Sequence, residues 1–187
     1  YAYAGKYSNF IGGVTVLQAR VASNPKTDLL DAAKRIGYSI STNAEGDVYT
    51  SGWGLSADYL LPNNFSFSGS VYTDEIGSLP SGFVSYFNTP LFRANFALNN
   101  SGFLFKNRLG FGANLHYQDD FTYEGTFSVG KVNSFSTIDA VVTYKVPSIK
   151  SMIKVGGTNI LNKYYQTAYG SPSIGGLYYV SFAYNIL

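Results

Sequence analysis

The sequence predicts an all-β chain folded as an antiparallel transmembrane β-barrel, on three observations. Hydrophobicity alternates with a period of two over long stretches. Charged residues make up 13% of the 187 while aromatics reach 17%, against the roughly 25% charged residues of an ordinary soluble domain. The links between the alternating stretches are short and long by turns, as in barrels that cross an outer membrane.

The composition sets bounds before any motif is read. Tyr 17 and Phe 14 exclude a disordered chain, which is poor in aromatics and rich in charge. Thirteen basic and 11 acidic residues are too few to clothe a soluble surface. Cysteine is absent, so disulfides, thiolate metal sites and a cysteine nucleophile are excluded. A net charge of +2 is too small to suggest nucleic acid as a partner. No run of about 18 apolar residues occurs, so the sequence holds no transmembrane helix, and no signal-peptide pattern opens it. The first residue is Tyr1, already inside an alternating stretch, which leads us to expect a processed chain or a piece of a longer one.

Eight strands are expected, near 1–18, 47–61, 65–74, 90–98, 103–118, 135–146, 152–160 and 176–187. The clearest is 103–118. Its odd positions run Phe103, Phe105, Asn107, Leu109, Phe111, Ala113, Leu115, Tyr117, and its even positions carry Lys106, Arg108, Asn114, His116 and Gln118. An amphipathic helix would space its apolar residues at three and four instead. Around 49–61, Tyr49, Trp53, Leu55, Tyr59 and Leu61 share one parity opposite Thr50, Gly52, Gly54, Ser56 and Asp58. Around 65–74, Phe65, Phe67 and Val71 oppose Ser66, Ser68, Ser70 and Asp74. Around 136–146, Ile138, Ala140, Val142, Tyr144 and Val146 oppose Thr137, Asp139, Thr143 and Lys145. In the last stretch, Tyr178, Val180, Phe182 and Tyr184 alternate with Tyr179, Ser181 and Ala183.

Short turns are expected at Leu61-Pro62-Asn63-Asn64, at Asn99-Asn100-Ser101-Gly102 and around Pro147. Long loops are expected at 19–46, 75–89, 119–134 and 161–175, well beyond the usual hairpin lengths of about 2–5 residues. A short helical turn capped by Thr27 is expected within 25–36. Hydrocarbon offers the backbone no hydrogen-bond partners, so strands in a bilayer must satisfy one another. Apolar parities then face lipid and polar parities face the bore. A soluble β-sandwich also alternates, but its polar parity is rich in Lys, Glu and Thr, whereas this one is rich in Gly, Ser and Asn.

The C-terminal region carries a more specific signal. Lys154-Val155-Gly156-Gly157-Thr158-Asn159-Ile160-Leu161-Asn162-Lys163-Tyr164-Tyr165 precedes Gly170, then Ser173-Ile174-Gly175-Gly176 and the final strand. This resembles the end of a TonB-dependent outer-membrane receptor, where the penultimate strand enters a G-x-N-L/I-x-N/D-K-x-Y box. Phe87-Asn88-Thr89-Pro90, continuing Leu91-Phe92-Arg93-Ala94-Asn95, resembles the N-T-P segment of the SusC-like (carboxypeptidase-regulatory-like) type. The stretch 47–56 resembles a T-x-G-x-E strand of the same receptors, with Gly54 where the acid would stand. The chain ends in Leu187 where such barrels commonly end in an aromatic.

The resemblance implies that residues 1–187 are about eight C-terminal strands of a barrel of about 22. The plug and the TonB box would lie outside this chain. It implies TonB-dependent import of a glycan, peptide or metal chelate in the outer membrane of a Gram-negative cell. The implied partners are outer-membrane lipid, the protein's own N-terminal plug, TonB and a SusD-like lid lipoprotein. No cofactor and no metal site are expected, and no enzyme activity. The competing readings are a stand-alone eight-stranded barrel serving as anchor, adhesin or small pore, and a receptor-like barrel serving as a structural subunit of an outer-membrane complex.

Candidate binding residues follow from position. Aromatics in or beside the long loops, Phe83, Tyr86, Phe121, Tyr123, Tyr165 and Tyr169, with Tyr72 and Phe87, would stack on sugar rings or clamp a peptide. Charges on the polar parity, Asp58, Arg93, Lys106, Arg108, Asp139 and Lys145, with Lys154, would face the bore and hold the plug. His116, the single histidine, has no partners at ligand spacing and reads as a polar bore residue. Asp119, Asp120 and Glu124 read as solvated loop charges rather than an acid–base pair or a cation site. Gly110 and Gly112 would leave room on the inner wall or let the sheet coil.

Overall fold

The computed structural model describes residues 1–19, 35–126 and 128–185. In chain order its strands are β1 (Ala2–Tyr7), β2 (Ile11–Ala19), β3 (Arg35–Asn43), β4 (Val48–Leu61), β5 (Phe65–Ile76), β6 (Phe83–Val84), β7 (Phe92–Leu104), β8 (Leu109–Gln118), β9 (Phe121–Glu124), β10 (Val129–Val132), β11 (Phe135–Val146), β12 (Ser151–Thr158) and β13 (Leu177–Tyr184). No helix is long and apolar enough to cross a membrane.

Eight strands form one antiparallel sheet in the order β1-β4-β5-β7-β8-β11-β12-β13. The sheet is open. β1 pairs with β4 and β13 with β12, and each is an edge.

The register keeps one apolar face continuous from β4 to β13. Leu55 lies opposite Val71, Val71 opposite Ala94, and Ala94 opposite Tyr117. Leu98 lies opposite Ala113, Ala113 opposite Ala140, and Val142 opposite both Phe111 and Val155. Val155 then faces Val180, and Ile153 faces Phe182. Much of this face is uncovered: Leu55 is 66% exposed, Val180 75% and Phe182 62%, while Ala94 is buried between its neighbours. A soluble chain rarely presents an apolar surface of that extent, so this face needs a non-aqueous neighbour.

The eight expected wall strands are present, with three corrections. The stretch 1–18 is two strands, broken at Ser8-Asn9-Phe10 where Asn9 takes a left-handed φ of 58°. β1 joins the wall, whereas β2 joins a separate three-stranded sheet in the order β3-β2-β6. The stretch 103–118 is also two strands. Phe103 and Leu104 end β7, and the chain turns at Phe105-Lys106-Asn107-Arg108 before β8. Lys106 and Arg108, expected on a wall strand, therefore sit in that turn. Asn99-Asn100-Ser101-Gly102, expected as a turn, lies inside β7. Its turn-forming composition serves an irregular register between Asn100 and Leu104, where Gly102 N donates to Asn100 Oδ1 at 2.7 Å and Asn100 Nδ2 donates to Asn63 O at 2.8 Å.

The short links are confirmed at Pro62-Asn63-Asn64 and at Pro147–Ile149, a single 3-10 turn closed by Lys150. The long links hold more structure than expected: β3 and β6, both paired with β2, and the β9–β10 hairpin. The helical turn expected within 25–36 lies outside the described residues, apart from its last two, which open β3. The small core sits where the loops meet the loop ends of β4 and β5. Ala44, Val48 and Phe83 are buried there with Phe10, Val14, Ile76 and Leu79 against them.

Candidate functional site

The polar face is the site-bearing surface, and its register sorts it into rows. Nearest the long loops, Tyr3, Gly52 and Asp74 align. Next come Gly54, Tyr72, Arg93, Gln118 and Phe135. Below them run Ser56, Ser70, Asn95, His116 and Thr137, and below those Asp58, Ser68, Ala97, Asn114 and Asp139.

The top rows form one hydrogen-bonded and stacked network. Tyr3 Oη donates to Asp74 Oδ1 at 2.7 Å, and Arg93 Nη2 donates to Asp74 Oδ2. Arg93 Nε is buried without a partner among the described residues. The rings of Tyr1 and Tyr72 stack with centroids 6.5 Å apart. Glycine makes this possible, because a Cβ at Gly54 would stand 2.5 Å from the Tyr1 ring and one at Gly52 2.7 Å from the Tyr3 ring. His116 Nδ1 donates to Asn95 Oδ1 at 2.5 Å, and the imidazole lies 5.9 Å from the Phe135 ring. Phe135 in turn stacks on Tyr165 at 4.2 Å. The wall thus offers aromatic faces beside amide, imidazole, carboxylate and guanidinium groups.

A layer of joined loops stands above it. Glu124 Oε2 accepts three hydrogen bonds, from Ser85 N, Ser85 Oγ and Tyr86 N, each 2.9 Å. Asn88 Nδ2 donates to Glu124 O at 2.9 Å, and Glu124 N donates to Asn88 Oδ1 at 2.6 Å. These bonds hold Tyr86 and Asn88 at left-handed φ values of 56° and 41°. Tyr86 Oη lies 3.1 Å from Ser39 Oγ, and β6 pairs with β2. Ser128 Oγ donates to Tyr169 O at 3.4 Å, and the Tyr169 ring lies over Gly130. All four long links are therefore tied together.

The three loop acids do not share one site. Asp119 accepts from Tyr117 Oη at 2.6 Å, Asp120 pairs with Lys131 at 3.0 Å, and Glu124 closes the loop clamp. Among the described residues no group of three His, Cys, Asp or Glu is placed to hold a metal ion. At the mouth of the first loop, Asp47 pairs with Lys6 at 2.7 Å and accepts from Ser8 Oγ at 2.6 Å. The hydrogen bond from Lys6, then that from Ser8, hold its carboxyl below the usual carboxylate range.

The sequence-predicted residues divide. Phe83 is withdrawn from any ligand: it is 8% exposed and packs into the loop core, 6.4 Å from the Phe10 ring. Phe121 and Tyr123 lie on β9, with Tyr86, Tyr165 and Tyr169 in the joined loops. Arg93 joins the top network. Asp139 Oδ1 accepts from Asn159 N at 2.8 Å, and Asp58 stands exposed on β4. Lys145 Nζ donates to Ser101 O at 2.8 Å. Gly112 leaves room for Asn99, whose Oδ1 would lie 2.7 Å from an added Cβ. Sequence reasoning missed Tyr3, Asn95 and Phe135 as neighbours of these groups, and placed Asp74 on the polar parity without giving it a role.

The asparagines of the C-terminal box shape the chain. Asn159, 2% exposed, takes a φ of 47°, accepts from Lys163 N at 3.2 Å and donates to Lys163 O at 2.7 Å. Asn162 Oδ1 accepts from Gly176 N at 2.8 Å. The box is a loop-folding device that returns the chain to β13.

No protein-family model matches the chain, and no curated protein matches it. Solved structures do. The structure described as "Copper transporter OprC" superposes with a TM-score of 0.66 at 15% identity, over 97% of this chain and 27% of that one. The FrpB iron transporter from Neisseria meningitidis (F3-3 variant) gives 0.58 at 13% identity, over 96% of this chain and 28% of that one. This chain thus spans under a third of either. At such identities the likeness shows the fold alone: an antiparallel β-barrel wall like the part of those two structures that the chain matches.

Proposed function

We propose that residues 1–187 form the C-terminal part of the barrel of a TonB-dependent outer-membrane importer. The observation that carries this is the open eight-stranded sheet whose apolar face runs unbroken from β4 to β13. In hydrocarbon both edge strands require partners, and further strands of a larger barrel supply them. The solved transporters matched over 27% and 28% of their lengths support the same reading. The apolar face meets outer-membrane lipid, the polar face lines the bore, and the long loops face the outside.

In this reading the protein does no covalent chemistry. It binds a nutrient (a glycan, peptide or metal chelate) at its loops and upper bore. Tyr86, Phe121, Tyr123, Tyr165 and Tyr169 contribute rings, and the Tyr3–Asp74–Arg93 network contributes polar contacts. A plug preceding this chain fills the bore and couples to TonB, and the SusC-like type adds a lid lipoprotein. Asp58, Arg93, Asp139, Lys145 and Lys154 would hold the plug from the wall, with Lys106 and Arg108 at the periplasmic turn.

Uptake by cells carrying the whole gene tests this. Growth on the nutrient should be lost when TonB is deleted or when Arg93→Ala and Tyr165→Ala are combined. Uptake indifferent to TonB, or a whole product no heavier than the 20.4 kDa of this chain, would overturn it in favour of a small closed barrel.

A further inference from the structure

We infer that Ser85 and Tyr86 form a binding site for a carboxylate-bearing solute, and that Glu124 fills this site as an internal ligand which the solute displaces. This rests on the importer reading above and narrows its nutrient to one that carries a carboxylate.

The three donors on Glu124 Oε2 come from one short stretch: Ser85 N, Ser85 Oγ and Tyr86 N, each at 2.9 Å. They converge where Tyr86 takes a left-handed φ of 56°. Successive N–H groups turned to one side in this way make a concave seat for an anion. Phe87 N donates to Ser85 Oγ at 3.1 Å, which leaves the hydroxyl hydrogen for the carboxylate. Ser85 is 7% exposed, so the floor of the seat is shielded from water.

The electrostatics are those of a ligand site rather than of an ion pair. The salt bridges among the described residues are Lys6–Asp47, Arg93–Asp74 and Lys131–Asp120, and Glu124 is in none of them. Its charge is met by neutral N–H and O–H dipoles. Such donors bind a carboxylate of any origin, because nothing in the contact is particular to a glutamate side chain. All three bonds go to one oxygen, whereas the two oxygens of a carboxylate accept about four. Asn88 Nδ2 now donates to Glu124 O at 2.9 Å and is freed when Glu124 leaves. A solute carboxylate that took all four donors would make one bond more than the Glu124 side chain makes.

Glu124 is placed to leave. It ends β9, whose sheet partner is β10 over four residue pairs, in a two-stranded sheet separate from the wall. Beyond the carboxylate, its hold on the second long link is the pair of bonds between its backbone and the Asn88 side chain. The seat itself is strained, since Tyr86 and Asn88 both stand at positive φ, 56° and 41°, and non-glycine residues keep such angles only where their surroundings enforce them. Exchange of Glu124 for a solute carboxylate keeps the strained turn satisfied and releases the β9–β10 hairpin. Arrival of the solute is thereby coupled to movement of a loop.

The test uses the intact purified protein, read by hydrogen exchange, with sodium acetate as the probe and sodium chloride at equal ionic strength as the control. In the Glu124→Ala variant the Ser85 and Tyr86 amides should exchange about tenfold faster, and acetate should restore their protection where chloride does not. In the unsubstituted protein acetate should leave those two amides slow and quicken the Glu124 amide, whose bond to Asn88 Oδ1 is lost as the hairpin leaves. Ser85→Ala removes one donor and should weaken that second response, which keeps the proposal testable if Glu124→Ala fails to fold. Unchanged exchange in β8 and β11 shows that the wall is intact. No restoration by acetate, equal restoration by chloride, or a Glu124 amide indifferent to acetate in the unsubstituted protein overturns the proposal. Restoration by inorganic phosphate but not by acetate overturns it in favour of a phosphorylated solute. These readings need no transport, so their failure is distinct from a failure of TonB-dependent uptake.

Discussion

Ser85 gives both its backbone N–H and its hydroxyl to one oxygen of Glu124, each bond 2.9 Å long. With Tyr86 N as a third donor, a single carboxylate pins the second long link to the third. Glu124→Gln should cost about 1–3 kcal/mol of loop stability, the usual loss when charge-assisted bonds are removed. Hydrogen exchange at Ser85 and Tyr86 checks this. The expected result is faster exchange there and none in β8 or β11.

The Tyr3–Asp74–Arg93 network ties edge strand β1 to β5 and β7. Asp74→Asn should weaken both contacts and leave Arg93 short of a counter-charge. We expect increased exchange of the β1 amides. Tyr3→Phe removes the tyrosine's bond alone and should have a smaller effect on β1, with Arg93 unaffected.

Charge placed on the two faces should behave differently. Leu115→Arg puts a guanidinium on the apolar face and should cost about 2–4 kcal/mol if the residue lies near the bilayer midplane. Asn114→Arg, one residue away, should be tolerated. Gly112 is a poor position for such a comparison, because any side chain there meets Asn99 Oδ1. Denaturant unfolding in lipid vesicles gives both values.

The Lys6–Asp47–Ser8 contact carries a pH signature. The Asp47 carboxyl is held low by the Lys6 and Ser8 bonds. Its contribution is therefore complete above the unfolded carboxylate pKa of about 4 and is lost as pH falls through the lower folded value. An NMR titration should show Asp47 still ionised at a pH where free carboxylates are half protonated. Lys6→Gln should return it toward the ordinary range.

The wall was legible in the sequence because its signal is strictly local. In a strand with one face in lipid, every second residue must be apolar, and Ile138, Ala140, Val142 and Tyr144 report that directly. The turn at Phe105-Lys106-Asn107-Arg108 was hidden because Phe103 and Phe105 carry the odd apolar parity of β8 back across it, although Leu104 and Leu109 pair on one face and the true parity switches there. It also holds Phe105, Lys106 and Asn107 at positive φ (50°, 60° and 62°) with no glycine to announce it, a rare arrangement for such side chains. The loop sheet and the Glu124 clamp were illegible for another reason. Both depend on contacts between residues far apart in sequence, such as Ser85 with Glu124 and Val14 with Phe83, and no periodicity encodes which loop meets which. For the same reason the polar parity revealed Asp74 and Arg93 as charges but not as partners.

The central claim is that alternate residues of one strand face lipid and bore. The chain has no cysteine, so single cysteines from Thr137 to Lys145 in β11 can carry a nitroxide label on a clean background in the membrane-reconstituted intact protein. Collision with dissolved oxygen, which concentrates in hydrocarbon, should peak at 138, 140, 142 and 144 and fall at 137, 139, 141, 143 and 145. A profile without that period of two, or with its maxima on the Thr137 and Asp139 parity, would contradict the account.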